Sequence, residues 1–286
     1  YYEQTLDIHR ETGNRRGECL VLGNVGGVAA ALGAHVEAIS YHEQSRVIAR
    51  EIGNRYYEAN ALINLGGDHS CLGRYDDARD AYQSSLCICR QISYRGGELW
   101  ALVGLSVLFH RMGDDESALD HSQQVQSLLQ EASNPLFQGY ASTCLGHALV
   151  GLNRLPEAIA AYQQALELRR EMGQSNLAIE TLAGLARAFL AQRDLSQAQA
   201  YVEEILAHLE TGTLEGTSGP FQIYLTCYRV LRANQDARAG QVLTESHDLL
   251  QAQARGIAGE ELRRSFLENV TANREIVAAM ADMFAQ

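Results

Sequence analysis

Proline is scarce, with three residues in 286, so long stretches rich in Ala, Leu, Gln, Glu and Arg run without a helix breaker. Basic charge is short as well: 23 Lys and Arg face 35 Asp and Glu, a net charge of −12 with a pI near 5.2. That balance excludes a nucleic-acid duplex or an anionic membrane surface as the main partner, because both are gripped by clustered Lys and Arg. No apolar run reaches the ~20 residues needed to cross a bilayer, and no charged segment followed by an apolar one opens the chain. The expected setting is the cytoplasm. Chemistry-bearing motifs are missing too. No H-E-x-x-H, G-x-S-x-G, G-x-x-x-x-G-K-[ST] or Cys/His metal spacing occurs, so no catalytic residue, metal or cofactor is expected and the chain reads as a non-enzyme. The six cysteines are scattered, and the close pair Cys87 and Cys89 lies about 200° apart around a helix. All six read as reduced, mostly buried thiols.

What is present is repetition. The stretch GNVGGVAAALG from Gly23 to Gly33 has the look of a phosphate-binding loop, but a dinucleotide fingerprint must follow a strand and open a helix. Upstream, ETGNRRGECLVL carries a turn at Gly13-Asn14 and then a helix start, which puts Gly23, Gly26 and Gly27 inside a helix as packing and groove residues. Shifting the chain by forty residues lays the segment from Asn24 on the one from Asn64, then on those from Gly104, Cys144 and Gly184, with no gap. One column reads Ala38, Ala78, Ala118, Ala158, Ala198; another reads Gly26, Gly66, Ser106, Gly146, Ala186. Both demand small side chains.

Each unit splits into two helices with apolar stripes at helical spacing. In the second copy Leu62, Leu65, Gly66, His69 and Leu72 form one stripe, and Ala78, Ala81, Tyr82, Ser85, Cys89 and Ile92 the other. Gly33, Gly73 and Gly113, with Asn153 in the next copy, end the first helix as left-handed caps. The unit is a helical hairpin. His69 reads as a core histidine. Asp76-Asp77 and Asp114-Asp115 open second helices, where the dipole favours carboxylates, and Arg169-Arg170 and Arg263-Arg264 read as solvated charge pairs.

A Leu-Gly pair in the first helix, a Gly at its end, an Ala early in the second and an aromatic four residues later resemble the tetratricopeptide repeat. The matching residues are Leu65-Gly66, Leu72-Gly73, Ala78 and Tyr82, and again Leu145-Gly146, Ala158, Tyr162 and Ala165. The usual period is about 34 residues. The forty-residue version, with its Gly-Asn-Arg junctions at Gly13–Arg15 and Gly53–Arg55, is similar to the longer-helix branch seen in kinesin light chain, in Pins-type adaptors and in the C-terminal arrays of bacterial STAND-type signalling ATPases. The resemblance implies an all-α, right-handed superhelix, an α-solenoid. Its units are read as a second helix of an interrupted repeat at 1–15, repeats at 16–55, 56–95, 96–134, 135–174 and 175–210, and a loop at 211–219. A degenerate sixth hairpin at 220–255, with Ala239 in the Ala38 column and Leu243 in the aromatic one, and capping helices at 256–286 complete it.

Because the chain starts in mid-repeat and without Met, it is expected to be a fragment of a longer protein whose N-terminal part holds an activity. The segment around Arg263–Val270 and Asn273–Ile276 resembles the closing segment of STAND-type regulators.

Function is then expected in a surface. Stacked hairpins line a concave wall with their first helices, and the residues off the packing stripe face it. One column runs Leu20, Asn60, Trp100, Tyr140, Glu180; a second runs Asn24, Asn64, Gly104, Cys144, Gly184; a third runs Gly27, Gly67, Val107, His147, Arg187. The predicted groove residues are Asn24, Gly27, Asn60, Asn64, Gly67, Trp100, Val107, His110, Tyr140, His147 and Arg187. The resemblance gives Asn24 and Asn64 the role of holding a partner's backbone. The expected partner is a protein or extended peptide, or the upstream domains of the same full-length chain. Each repeat is expected to touch only its neighbours, giving an elongated particle.

Overall fold

The computed structural model describes residues 2–131, 134–210, 212–214, 217 and 219–284. Among these there are fifteen α-helices and no strand. After α1 (Tyr2–Glu11), the first helices of five hairpins are α2 (Arg15–Ala31), α4 (Arg55–Cys71), α6 (Arg95–Met112), α8 (Pro135–Gly151) and α10 (Ser175–Ala191). Their second helices are α3 (His35–Glu51), α5 (Tyr75–Gln91), α7 (Asp115–Glu131), α9 (Leu155–Glu171) and α11 (Leu195–Leu209). Every start is forty residues from the last of its kind.

The turns explain that regularity. At Gly33 the left-handed residue (φ 78°) lets its own N–H bond Ala30 O at 2.9 Å and the next N–H bond Ala29 O at 2.9 Å, which closes two orphan carbonyls of the helix end. The same pair of bonds recurs at Gly73, Gly113, Asn153 and Arg193. The Gly-Asn-Arg junctions divide the labour in the other turns. Gly53 is left-handed, Asn54 accepts the Tyr57 N–H at 3.1 Å, and Arg55 reaches Glu58 at 2.6 Å and Gln91 at 2.9 Å, tying the start of α4 to the end of α5 in its own hairpin.

Small residues set the packing. Ala38, Ala78, Ala118, Ala158 and Ala198 are all fully buried. Tyr82 lies between Gly66 of its own hairpin and Gly104 of the next, and a methyl group on either glycine would collide with its ring. Tyr162 lies likewise between Gly146 and Gly184, and His42 fills the space over Gly26. Where the aromatic place holds Ser122, the facing residues carry side chains, Ser106 and Cys144, both buried. In the column Asn24, Asn64, Gly104, Cys144, Gly184 two members, Gly104 and Gly184, thus also receive a ring from the preceding hairpin.

The sixth hairpin is α12 (Pro220–Ala233) with α13 (Ala239–Gly256). Ala239 stays half-buried, so it does not occupy the Ala38 column. Val242, fourth in its helix like Ala118, is buried, and Ser246, eighth like Ser122, donates to Leu243 O at 2.8 Å as Ser122 does to Leu119 O at 2.8 Å. The register of this hairpin sits three residues beyond the sequence alignment.

The tail does more than cap. Helix α15 (Thr271–Phe284) covers α12 and α13 with Ile276 and Met280, both buried. Helix α14 (Glu260–Glu268) reaches back to the second hairpin. Ser265 Oγ donates to Leu72 O at 2.8 Å, Asn269 Nδ2 to Gly73 O at 3.2 Å, and Tyr75 OH to Asn269 O at 3.3 Å. Gln253 Nε2 adds a bond to Gly33 O at 3.1 Å. The expectation that repeats touch only their neighbours fails here, because the superhelix is closed on itself across about two hundred residues of chain.

Candidate functional site: a two-chambered cavity on the concave side

The first helices pack on one another in sequence, α2 on α4, α4 on α6, α6 on α8, α8 on α10 and α10 on α12. They therefore form the inner wall, and the tail closes it from the opposite side. Two chambers result, of ≈410 Å³ and ≈240 Å³, which share Cys71, Val107, Arg111, His147 and Glu180. The larger is walled by α6, α8 and α10 on one side and by Phe266 and residues 270–273 of the tail on the other. The smaller lies deeper among Ile63, Gly67, Trp100 and Tyr140. A third depression of ≈380 Å³, between α7, α8 and α9, is a shallow glutamine-rich notch on the outer face.

The predicted groove residues divide. Gly67, Trp100, Val107, Tyr140 and His147 line the smaller chamber, and Val107, His110, His147 and Arg187 the larger. Asn24, Gly27, Asn60 and Asn64 line neither. Asn24, Gly27 and Asn64 are exposed to solvent, and Asn60 spends its amide on Tyr56 O at 3.0 Å and the Tyr94 hydroxyl at 3.3 Å. Trp100 is half-buried, with the rings of Phe137 and Tyr140 set edge-on at 4.9 and 5.0 Å.

Charge converges on the shared wall. His147 Nδ1 lies 2.6 Å from the Tyr162 hydroxyl and 3.0 Å from Arg187 Nη2. Both of those groups donate, so Nδ1 is an acceptor and the ring is neutral. Burial, then the adjacent Arg187, drives His147 well below the ordinary histidine range. His110 stacks on it with centroids 5.4 Å apart and bonds Asp115 at 2.5 Å. Arg187 keeps its buried Nε without a partner among the described residues. Arg111 donates to Ser70 Oγ at 2.8 Å and faces Glu180. The wall thus offers guanidinium and neutral imidazole donors beside the Glu180 carboxylate.

His35, Cys71, Arg111 and Glu180 were not among the predicted site residues. Glu180 stands in the Trp100 column, and Cys71 and Arg111 lie one helical turn beyond Gly67 and Val107, so extending that column by four residues finds them. Arg169 also departs from expectation. It is 1% exposed, with its guanidinium 4.6 Å above the Tyr140 ring and its stem over Gly139, a buried cation–π contact rather than a solvated charge. Arg263 is no free charge either, since it donates to Ala254 O and Ile257 O at 3.1 and 3.0 Å and so caps the end of α13.

The sequence pattern that defines the tetratricopeptide repeat matches residues 18–91, 57–131 and 139–211. The chain belongs to the tetratricopeptide repeat family. No curated protein sequence matches it significantly. Among solved structures, it is similar to NprR in complex with its cognate peptide NprX, at TM-score 0.67 and 14% identity over 99% of this chain and 82% of that one. It is similar as well to a Rap protein complexed with competence and sporulation factor, at 0.64 and 14% over 94% and 75%. The apo form of the quorum sensor NprR from B. thuringiensis matches at 0.63 and 14% over 99% and 81%. At such identities the likeness establishes the tetratricopeptide solenoid and nothing finer.

Proposed function

We propose that the chain is a non-catalytic binding module that holds a peptide or an extended protein segment in the two-chambered cavity, with Arg187 and Arg111 gripping a carboxylate and Trp100 and Tyr140 an apolar side chain. The observation that carries this reading is the convergence of His110, Arg111, His147, Glu180 and Arg187 on the lining of one chamber of ≈410 Å³. Arg187 supplies the cation whose Nε is unspent. Support from relatives is limited to fold: two of the similar structures hold a peptide or factor. The wider setting we infer is the sensor or regulatory array of a larger bacterial STAND-type ATPase, in which occupancy of the cavity shifts the balance between two states. A free-standing scaffold adaptor is the second reading, favoured by the exposed Asn24 and Asn64 on the outer reach of the wall. A Walker A motif in the coding sequence upstream of Tyr1 separates the two.

The test is a library of synthetic peptides of about five to ten residues with free carboxyl termini, read by Trp100 emission and by melting temperature. Binders should move the emission to the blue and raise the melting point. Arg187→Ala should weaken them by at least about tenfold, the loss of one charge-assisted contact. If no peptide changes either signal, the cavity is not a peptide site.

A further inference from the structure

The wall of the cavity also carries a constellation that binding alone does not require. Cys71 is the last residue of α4 and borders both chambers. One turn earlier Asp68, buried to 2% exposure, accepts from His35 Nδ1 at 2.9 Å and from His42 Nδ1 at 2.8 Å. His35 borders the larger chamber beside Cys71, and with its Nδ1 on Asp68 it has Nε2 left to interact with the sulfur. Thiol, imidazole and carboxylate thus stand in the order of nucleophile, base and orienting acid. The other groups around the sulfur are Arg111 from α6 and the hydroxyls of Tyr75 and Tyr82 from α5.

Two effects oppose ionisation of this sulfur, burial and its place at the negative end of α4. Imidazolium and guanidinium outweigh them. Burial raises the Cys71 thiol, but His35 and then Arg111 bring it down to about 7. Burial lowers His35, but the Cys71 thiolate and Asp68 lift it to about 10. The buried Cys144 on the same wall shows the contrast: burial and then Glu180 push it up to about 12.

We propose that Cys71 is a nucleophilic thiolate that hydrogen peroxide entering the cavity converts to a sulfenic acid, with His35 as proton donor. The thiolate sulfur attacks one peroxide oxygen; the S–O bond forms and the O–O bond breaks. Sulfur loses two electrons to the peroxide, and the departing hydroxide takes the His35 proton and leaves as water. The product puts an oxygen where the two chambers meet, so oxidation reshapes the cavity at its junction. An uncharged oxidant of this size needs no opening of the tail.

The experiment uses the intact chain and follows the Cys71 peptide by mass spectrometry. Iodoacetamide labelling across pH should give a midpoint near 7 in the native protein and near about 8.5 in urea, where a thiol has its unperturbed value. After a hydrogen peroxide pulse at pH 7, quenching into urea that contains dimedone should show the Cys71 sulfenic acid formed about threefold faster in native than in urea-unfolded protein. That figure is about fifteenfold more thiolate, offset about fivefold by the lower nucleophilicity of a more acidic thiol. His35→Asn should return the labelling midpoint towards 8.5 while helicity is kept. A native midpoint equal to that in urea, a midpoint unmoved in the folded variant, or no dimedone adduct at Cys71 overturns the proposal. If the variant does not fold, the comparison of native and unfolded wild-type protein decides alone.

Discussion

Glu58 is buried to 3% exposure and still charged, because Arg50 and Arg55 each donate to it at 2.6 Å. Glu18, one repeat earlier, is held in the same way by Arg10 and Arg15. Burial pushes the Glu58 carboxyl up, but the bonds from Arg50 and Arg55 outweigh it and hold it below the usual carboxylate range. A depressed folded value contributes stability that is complete above the unfolded value, about pH 4.3, and is lost as pH falls through the folded one. Glu58→Gln should therefore cost about 1.5–3 kcal/mol at pH 7, and the gap should shrink by pH 3. Urea titrations at the two pH values check this, and a gap unchanged with pH would count against the clamp. Trp100 belongs to the same scale. Held edge-on by Phe137 and Tyr140 while bordering the smaller chamber, it is both packing and wall, so Trp100→Ala should cost roughly 2 kcal/mol of stability, below the 3–5 of a fully buried aromatic. Single residues were the least legible part of the sequence. The burial of Arg169 depends on a Tyr140 ring from another helix, and no spacing rule reports such a partner.

At the scale of the hairpin, legibility was high, for a physical reason. A left-handed residue, a small residue at each crossing and an apolar stripe are local requirements, and five copies repeat each of them in register. Column reading failed where neighbours exchange volume. Gly184 looks like a groove residue in one dimension, yet it lines neither chamber and is the space into which Tyr162 packs, whereas Gly104 both receives Tyr82 and borders the smaller chamber. It failed again at Ala239, where the lost small–aromatic pair left no marker for the register. The turns are open to a direct test. Gly113 has φ 81° with open space where a side chain would begin, so Gly113→Ala should cost about 1–2 kcal/mol from backbone strain alone. Arg193 holds the same conformation at φ 63° without being glycine. Arg193→Gly should be neutral or stabilise by up to about 1 kcal/mol, strain relief being partly offset by the freer unfolded chain. Melting curves of the two variants measure both effects, and a loss in Arg193→Gly as large as that in Gly113→Ala would contradict the cap assignment.

The closure of the whole molecule left no trace in the periodicity, because it joins a tail without repeats to a turn about two hundred residues away. Its weak point is Gly73. Like Gly113 it is left-handed, at φ 74°, but a methyl group there would come 2.7 Å from Ser265 O and 2.9 Å from Asn269 Cβ. Gly73→Ala thus combines the strain of Gly113→Ala with a collision against the docked tail, and the difference between the two variants isolates the docking. In Gly73→Ala, amides of residues 260–269 should exchange about tenfold faster or more, whereas in Gly113→Ala they should keep the native rate. The same displacement opens the larger chamber on the side of Phe266, so alkylation of Cys71 by reagents bulkier than iodoacetamide should accelerate in Gly73→Ala only. Equal exchange in both variants would mean that the tail is held by α12 and α13 alone and that its bonds to Leu72 and Gly73 do not hold the cavity shut. Faster exchange without faster alkylation would mean that bulky reagents reach the sulfur by another path, between the first helices, where Ile63 and Gly67 line the smaller chamber.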